Sequence, residues 1–364
     1  MRREPPGFWY AADPGVAERL AGVALSPLGW LYGMAGRLRI ATTRPRRAAL
    51  PVVCVGNFTA GGAGKTPVAL ALARLIGEAG LRPAFLTRGY GGRVRGPHVV
   101  DPGRDTAREV GDEPLLLARV APVVVAANRV AGADLIAASD LADVIIMDDG
   151  LQNPSLHKDL AIAVVDATRG IGNGRVMPGG PLRMPLGAQT GRVDLVLLLD
   201  GGGGRDRRVA DDLQARLGRL GWRGPIIAGR LVAEKETAGG LAGRAVIAYA
   251  GIGNPQKFFA TLEALGARLV ETVPLGDHQL PDAARARALI RRAGETGARL
   301  VTTEKDLARL AGETSEALLR LAEQSLALPV GLALADGDRG ILAGLLGVRL
   351  ARAKRPGESR PGVR

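Results

Sequence analysis

Residues 55–67 read VGNFTAGGAGKTP. The stretch leaves an apolar run, LPVVCVG (50–56), and enters a helical pattern, TPVALALARLIGEAG (66–80). A strand, a glycine-rich turn and a helix opened by Lys-Thr make a phosphate cradle, because the turn's amides and the positive helix end face the same anion. Thr59, Ala60, Gly61, Gly62, Ala63, Gly64, Lys65 and Thr66 are the expected nucleotide-binding residues. Lys65 would reach the β/γ-phosphates and the Thr66 hydroxyl would hold Mg²⁺. Thr59 departs from the common pattern, which places glycine there. Pro67 is tolerated in the first helical turn, where amide hydrogens are free anyway.

Outward from this turn, short apolar runs alternate with helical stretches. PAFLT (83–87), PVVVA (122–126), DVIIMD (143–148), LAIAVVD (160–166) and DLVLLL (194–199) read as strands. Strands apolar throughout and separated by helices predict a parallel sheet covered on both faces. The fold class is therefore α/β, a P-loop NTPase-like parallel sheet. ADVIIMDDG ends one such strand with Asp148 and Asp149, the arrangement that delivers a carboxylate to Mg²⁺ beside the phosphates.

A second series starts near Arg244, with strands RAVIAYAG, ARLVETVP and ARLVTTE and helices PQKFFATLEALG and PDAARARALIRRAGETG. LALPVGLAL reads as one further strand. These predict a smaller α/β second domain. The expected division is an N-terminal amphipathic helical segment (1–47), a nucleotide-binding and catalytic domain (48–236), the smaller domain (237–350) and a basic, disordered tail (351–364). GGGGRDRR (201–208) reads as a surface loop and TAGGLAGR (237–244) as the linker.

Composition narrows the class of partner. Of 364 residues, 46% are apolar, enough for a sizeable core. A single cysteine, Cys54, excludes an intramolecular disulfide, and its apolar surroundings predict a buried, inert thiol. The net charge of +13 favours anionic partners, whereas 3% aromatic residues leave few platforms for stacking bases, so nucleic acid is not expected.

The uncharged stretch LAGVALSPLGWLYGMAG (20–36) has 17 residues, short of the ~20 a spanning helix needs. Phe8, Trp9, Tyr10, Trp30 and Tyr32 lie before or within it, and Arg37, Arg39, Arg44, Arg46 and Arg47 follow. Aromatic rings at headgroup depth with arginines reaching for lipid phosphates describe an interfacial helix. A helix packed on the protein's own core is the alternative.

A kinase also needs a proton acceptor and cations at the transferring group. RGYGG (88–92) supplies Arg88 and Tyr90, EVGDEP (109–114) supplies Asp112 and Glu113, and GDHQ (276–279) supplies His278. A switch ATPase of the ParA or nitrogenase-reductase type is the competing reading. It lacks its lysine before the glycine pair, where this chain has Ala60.

GNFTAGGAGKTP, RGYGG, GDEP, DDGLQ, MPGGPLR (177–183), GDH and VTTEKD occur in that order. In this the chain resembles the lipid A 4′-kinase (tetraacyldisaccharide 4′-kinase) family along essentially its whole length. The resemblance implies transfer of the γ-phosphate of ATP, with Mg²⁺, to the 4′-hydroxyl of a tetraacylated glucosamine disaccharide 1-phosphate. It also implies action at the cytoplasmic face of the inner membrane, with an anionic membrane surface and a lipid substrate as partners and no obligate protein partner. By resemblance Asp112 is the catalytic carboxylate and His278 its paired histidine. Thr66, Glu113 and Asp148 surround Mg²⁺ with Asp149 beside them, and Arg88, Tyr90, Gln152 and Arg183 belong to the cleft. Asn153, Met184 and Gln279 depart from the family pattern.

Overall fold

The structure, a computed structural model, describes residues 6–11, 15–201 and 206–353. Residues 354–364 of the expected tail and 202–205 of the expected loop lie outside the described residues.

The larger sheet has nine strands in the order β13-β8-β7-β6-β1-β5-β2-β4-β3. They are β1 (Val52–Gly56), β2 (Pro83–Thr87), β3 (His98–Val99), β4 (Val123–Val125), β5 (Val144–Asp148), β6 (Leu160–Asp166), β7 (Leu195–Asp200), β8 (Ile226–Ala233) and, from the end of the chain, β13 (Val330–Leu334). Pairing is parallel except where β13 meets β8 and β3 meets β4. β1 lies at the centre, between β5 and β6. Its side chains alternate: Val53 and Val55 enter one core with Val68 and Leu72, while Val52 and Cys54 enter the other with Ile145 and Met147. Both faces being buried is why the strand is continuously apolar. Cys54 is fully buried, and burial pushes its thiol up to about 11, as expected for an inert residue.

The smaller sheet runs β10-β9-β11-β12, all parallel, from β9 (Ala245–Ala250), β10 (Arg268–Pro274), β11 (Arg299–Thr303) and β12 (Ser325–Leu328). The single strand expected at LALPVGLAL is two. Pro329 has no amide for a ladder and separates β12, which closes the smaller sheet, from β13, which pairs antiparallel with β8 in the larger one. The helix Asp336–Ala353 then buries Leu342, Leu346 and Leu350, at four-residue spacing, in the larger core. Residues 330–353 thus return to the first lobe, correcting the expected 237–350 unit and the start of the tail.

The N-terminal stretch forms two helices, Val16–Ala24 and Ser26–Thr42. The second packs on the 175–185 segment so closely that a Cβ on Gly29 would lie 2.7 Å from the Val176 carbonyl oxygen. That small-residue face turns the bulk outward: Trp30 is 65% exposed and Leu38 63%, with Leu28 and Leu31, and Leu20 of the first helix, also more than half exposed. The flanks differ from expectation. Trp9 Nε1 donates to the Pro178 carbonyl (3.1 Å), and the Arg169 guanidinium lies 5.3 Å from the Tyr10 ring centroid, so these aromatics pack on the protein. Arg46 and Arg47 pair with Asp134 and Asp159.

Candidate active site

The two lobes wall a cleft of about 790 Å³. Gly64, at φ +78°, caps the helix Lys65–Glu78, and a Cβ there would meet Leu199 Cδ2 at 2.3 Å, so the turn requires glycine. The MPGGPLR segment straps the loop from outside. The Ala60 amide donates to the Pro181 carbonyl (2.8 Å), the Arg183 amide to that of Phe58 (2.9 Å), and Arg183 Nε to that of Thr59 (3.0 Å). The Gln152 side-chain amide donates to the Asn57 carbonyl (2.7 Å) and to Gln189 Oε1 (2.8 Å). Gln152 lines the cleft and braces the strand end that feeds the loop.

Parallel register puts Asp148 opposite Val55, level with the start of the loop. Asp149, at φ +50°, gathers two cations: Arg183 Nη1 at 2.9 Å and Lys65 Nζ at 3.7 Å. Burial works to raise the Asp149 pKa, but Lys65 and Arg183 outweigh it and the carboxyl is held below the usual range. Asp148 is 1% exposed, and neither of its carboxylate oxygens has a hydrogen-bond partner. Burial first, then the Glu113 charge, push it up to about 7. Thr66 Oγ1 donates to Glu113 Oε1 at 3.5 Å.

A buried, unpartnered carboxylate is destabilising unless a cation completes it, and this set fits Mg²⁺. Among the described residues no three His, Cys, Asp or Glu side chains cluster as a metal cage. Mg²⁺ normally takes only one or two carboxylates and completes its shell with substrate phosphates and water.

Opposite the loop, His278 follows β10 at φ +61°, its ring tilted 53° to that of Tyr90 with centroids 5.8 Å apart. Its Nδ1 lies 3.6 Å from Asp112 Oδ2, beyond a hydrogen bond. Arg309 joins the two. Its Nε donates to Asp112 Oδ2 (2.7 Å) and Nη2 to His278 Nδ1 (3.1 Å), while Nη1 holds the Gly251 carbonyl (2.8 Å) and Asp306 Oδ1 (2.6 Å). Asp112, 4% exposed, opens the helix Asp112–Leu117. Burial opposes its ionisation, yet His278 and Arg309 hold its pKa well below the carboxylate range. Lys305 pairs with Glu113 and, with burial opposing, is raised by Glu113 and Asp112; it in turn lowers Glu113.

Of the expected site residues all but Thr59, Asp112 and Asp148 line one cleft, Arg88 and Tyr90 included, and Asp112 touches the lining Arg309. Lys305 and Arg309 were not expected. They lie four residues apart on the helix Glu304–Ala311; Lys305 falls within the VTTEKD block, and for Arg309 the spacing within EKDLAR was the signal. The three departures have local tasks. Asn153 Oδ1 accepts from the Ser155 amide (2.9 Å), Gln279 Oε1 from the Gly276 amide (3.0 Å), and Met184 is buried beneath Gly36.

Comparison with known proteins gives the family. The family description Tetraacyldisaccharide-1-P 4′-kinase matches residues 21–346. A tetraacyldisaccharide 4′-kinase of Rhodospirillum centenum is 49% identical over 92% of this chain and 93% of its own length. That of Methylobacterium nodulans is 50% identical over 95% of each. A crystal structure of LpxK from Aquifex aeolicus in complex with ATP is 25% identical and superposes with a TM-score of 0.65, covering 90% of this chain and 99% of that one. These relatives lend no support to the switch-ATPase alternative. The expected family and fold class are both borne out: the chain belongs to the tetraacyldisaccharide-1-P 4′-kinase family.

Proposed function

We propose that the protein transfers the γ-phosphoryl group of ATP to the 4′-hydroxyl of a tetraacylated glucosamine disaccharide 1-phosphate at the cytoplasmic face of the inner membrane. The observation that carries this reading is a cleft with the phosphate loop on one wall and His278 and Arg309 on the other, with Asp112 of the larger lobe held directly behind it by Arg309. Tyr32 and Arg39, from the helix with the exposed apolar face, also reach its rim.

The loop amides and Lys65 bind the phosphates, and Thr66, Glu113 and Asp148 would hold Mg²⁺, which neutralises charge on the phosphates when bound. The sugar oxygen attacks the γ-phosphorus as the bond to the bridging oxygen breaks, and that electron pair leaves with ADP. Asp112 takes the hydroxyl proton and passes it to solvent. A carboxylate with so low a pKa is a weak base. That suits a loose transition state, in which the nucleophile keeps its proton until transfer is advanced. Lys305 and Arg309 bring cations to the second wall, each paired there with a carboxylate, Glu113 and Asp112.

The acceptor carries acyl chains, so the enzyme must work at the bilayer surface. No helix among the described residues is long and apolar enough to cross a membrane. The outward Leu20, Leu28, Trp30, Leu31 and Leu38 fit a helix pair lying in the interface. Arg37 and Arg39 add electrostatic attraction of about 1 kcal/mol each near anionic lipid.

The test is incubation with γ-labelled ATP and the acylated disaccharide 1-phosphate in mixed micelles. Label should move to the lipid. Release as inorganic phosphate, with the lipid unlabelled, refutes the proposal.

A further inference from the structure

We propose that Arg309 is the positioning residue of the transfer site, fixing His278 as a neutral imidazole with its proton on Nε2 and seating it beside Asp112. The inference rests on the proposed kinase reading and assigns a task within that site.

A guanidinium has donors only. Since Arg309 Nη2 meets His278 Nδ1 at 3.1 Å, Nδ1 must be the acceptor, and the ring proton resides on Nε2. The same guanidinium takes Asp112 Oδ2 through Nε and Nη2, the latter shared with His278, so one rigid plane sets the spacing of carboxylate and ring, which do not hydrogen-bond directly. The plane is itself fixed from behind. Nη1 is shared by the Gly251 carbonyl and Asp306 Oδ1, and Asp306 Oδ2 accepts from the Gly251 amide (3.0 Å) and from Thr303 Oγ1 (2.7 Å). Asp306 is fully buried and Arg309 nearly so.

Two consequences follow for the reaction. With Nδ1 engaged by Arg309 and Nε2 protonated, His278 has no free lone pair for a substrate proton. It acts as a donor lining the cleft, and Asp112 is left as the acceptor. Moreover Arg309 and His278 come from the smaller lobe and Asp112 from the larger, so the guanidinium ties correct seating of the pair to correct approach of the lobes. Lysine could supply the charge but not the planar fork that meets four partners at once.

The experiment combines Arg309→Lys kinetics with ¹⁵N NMR of the histidine rings in the wild-type full-length protein, His278 being assigned through His278→Ala. In the wild type, His278 should show an unprotonated Nδ1 and a protonated Nε2. In Arg309→Lys, kcat for transfer should fall about 100-fold, with ATP affinity within about threefold of wild type, and the single tautomer should be lost. A protonated Nδ1 in the wild type overturns the proposal. So does a kcat within about threefold of wild type, or a loss of ATP affinity in step with kcat, which would make Arg309 a general structural support. Should Arg309→Lys fail to fold, the wild-type spectrum still decides the tautomer. Absence of lipid phosphorylation by the wild type would defeat the kinase reading while leaving the NMR result to judge Arg309 separately.

Discussion

In the larger lobe the lysine and aspartate beside the phosphate loop stand at strand ends. Lys65 follows β1 through the glycine turn, and Asp148 closes β5, one strand away, in a register fixed by the ladder. In the smaller lobe His278 sits on a loop, and Lys305 and Arg309 on a short helix, across the cleft from the phosphate loop. Among the described residues ion pairs cross that gap at Arg309–Asp112, Lys305–Glu113, Lys257–Asp166, Arg108–Glu313 and Arg119–Glu304. The larger lobe therefore carries a phosphate site built by its own backbone, whereas the geometry for transfer depends on how the lobes meet. Binding and chemistry should separate under mutation.

Lys65→Ala should break the larger-lobe half outright, lowering kcat/KM for ATP about 1,000-fold in steady-state assays. A loss below tenfold would mean that the loop is not the phosphate site. The N-terminal helices belong to neither half of the comparison, and replacing Trp30, Leu31 and Leu38 together by serine should leave ATP binding intact. Each residue contributes about 1.5–3 kcal/mol if buried in lipid, so partitioning onto anionic vesicles should drop about 100-fold or more in a sedimentation assay. Gly64→Ala forces a side chain into a left-handed turn against Leu199, and denaturant unfolding should show a loss of about 2 kcal/mol with ATP affinity reduced.

The smallest effect concerns a single latch between the lobes. Burial alone would raise the Asp166 pKa above its ordinary 3.8, but Lys257 at 2.8 Å outweighs this and lowers it. A depressed carboxylate stabilises the fold above its unfolded pKa, and that stability is lost as pH falls through the folded value. Asp166→Asn should therefore be about 1–2 kcal/mol less stable than wild type at pH 7, and thermal melts should converge as pH drops below about 4. A difference that persists at low pH would show that the latch is not ionic.

The sequence was legible where chemistry is contiguous along the chain. The strand–turn–helix around Lys65 and the apolar run ending in Asp148 carry their own physics, so sheet, loop and carboxylate could be placed without coordinates. β8 escaped notice because IIAGRLVA mixes glycine and arginine into a strand only partly buried near the lobe junction. Pro329 hid a change of sheet inside what looked like one apolar run, because which sheet a strand joins is a tertiary matter. Arg309 was missed since, Asp306 apart, its partners lie 31, 58 and 197 residues away, and no local pattern records such a meeting.

The separation of binding from transfer is tested most directly by His278→Ala, measured as ATP dissociation constant and single-turnover transfer rate on the same preparation. The account predicts an unchanged dissociation constant and a rate about 100-fold lower. Equal losses in both, or a rate close to that of wild type, would contradict it.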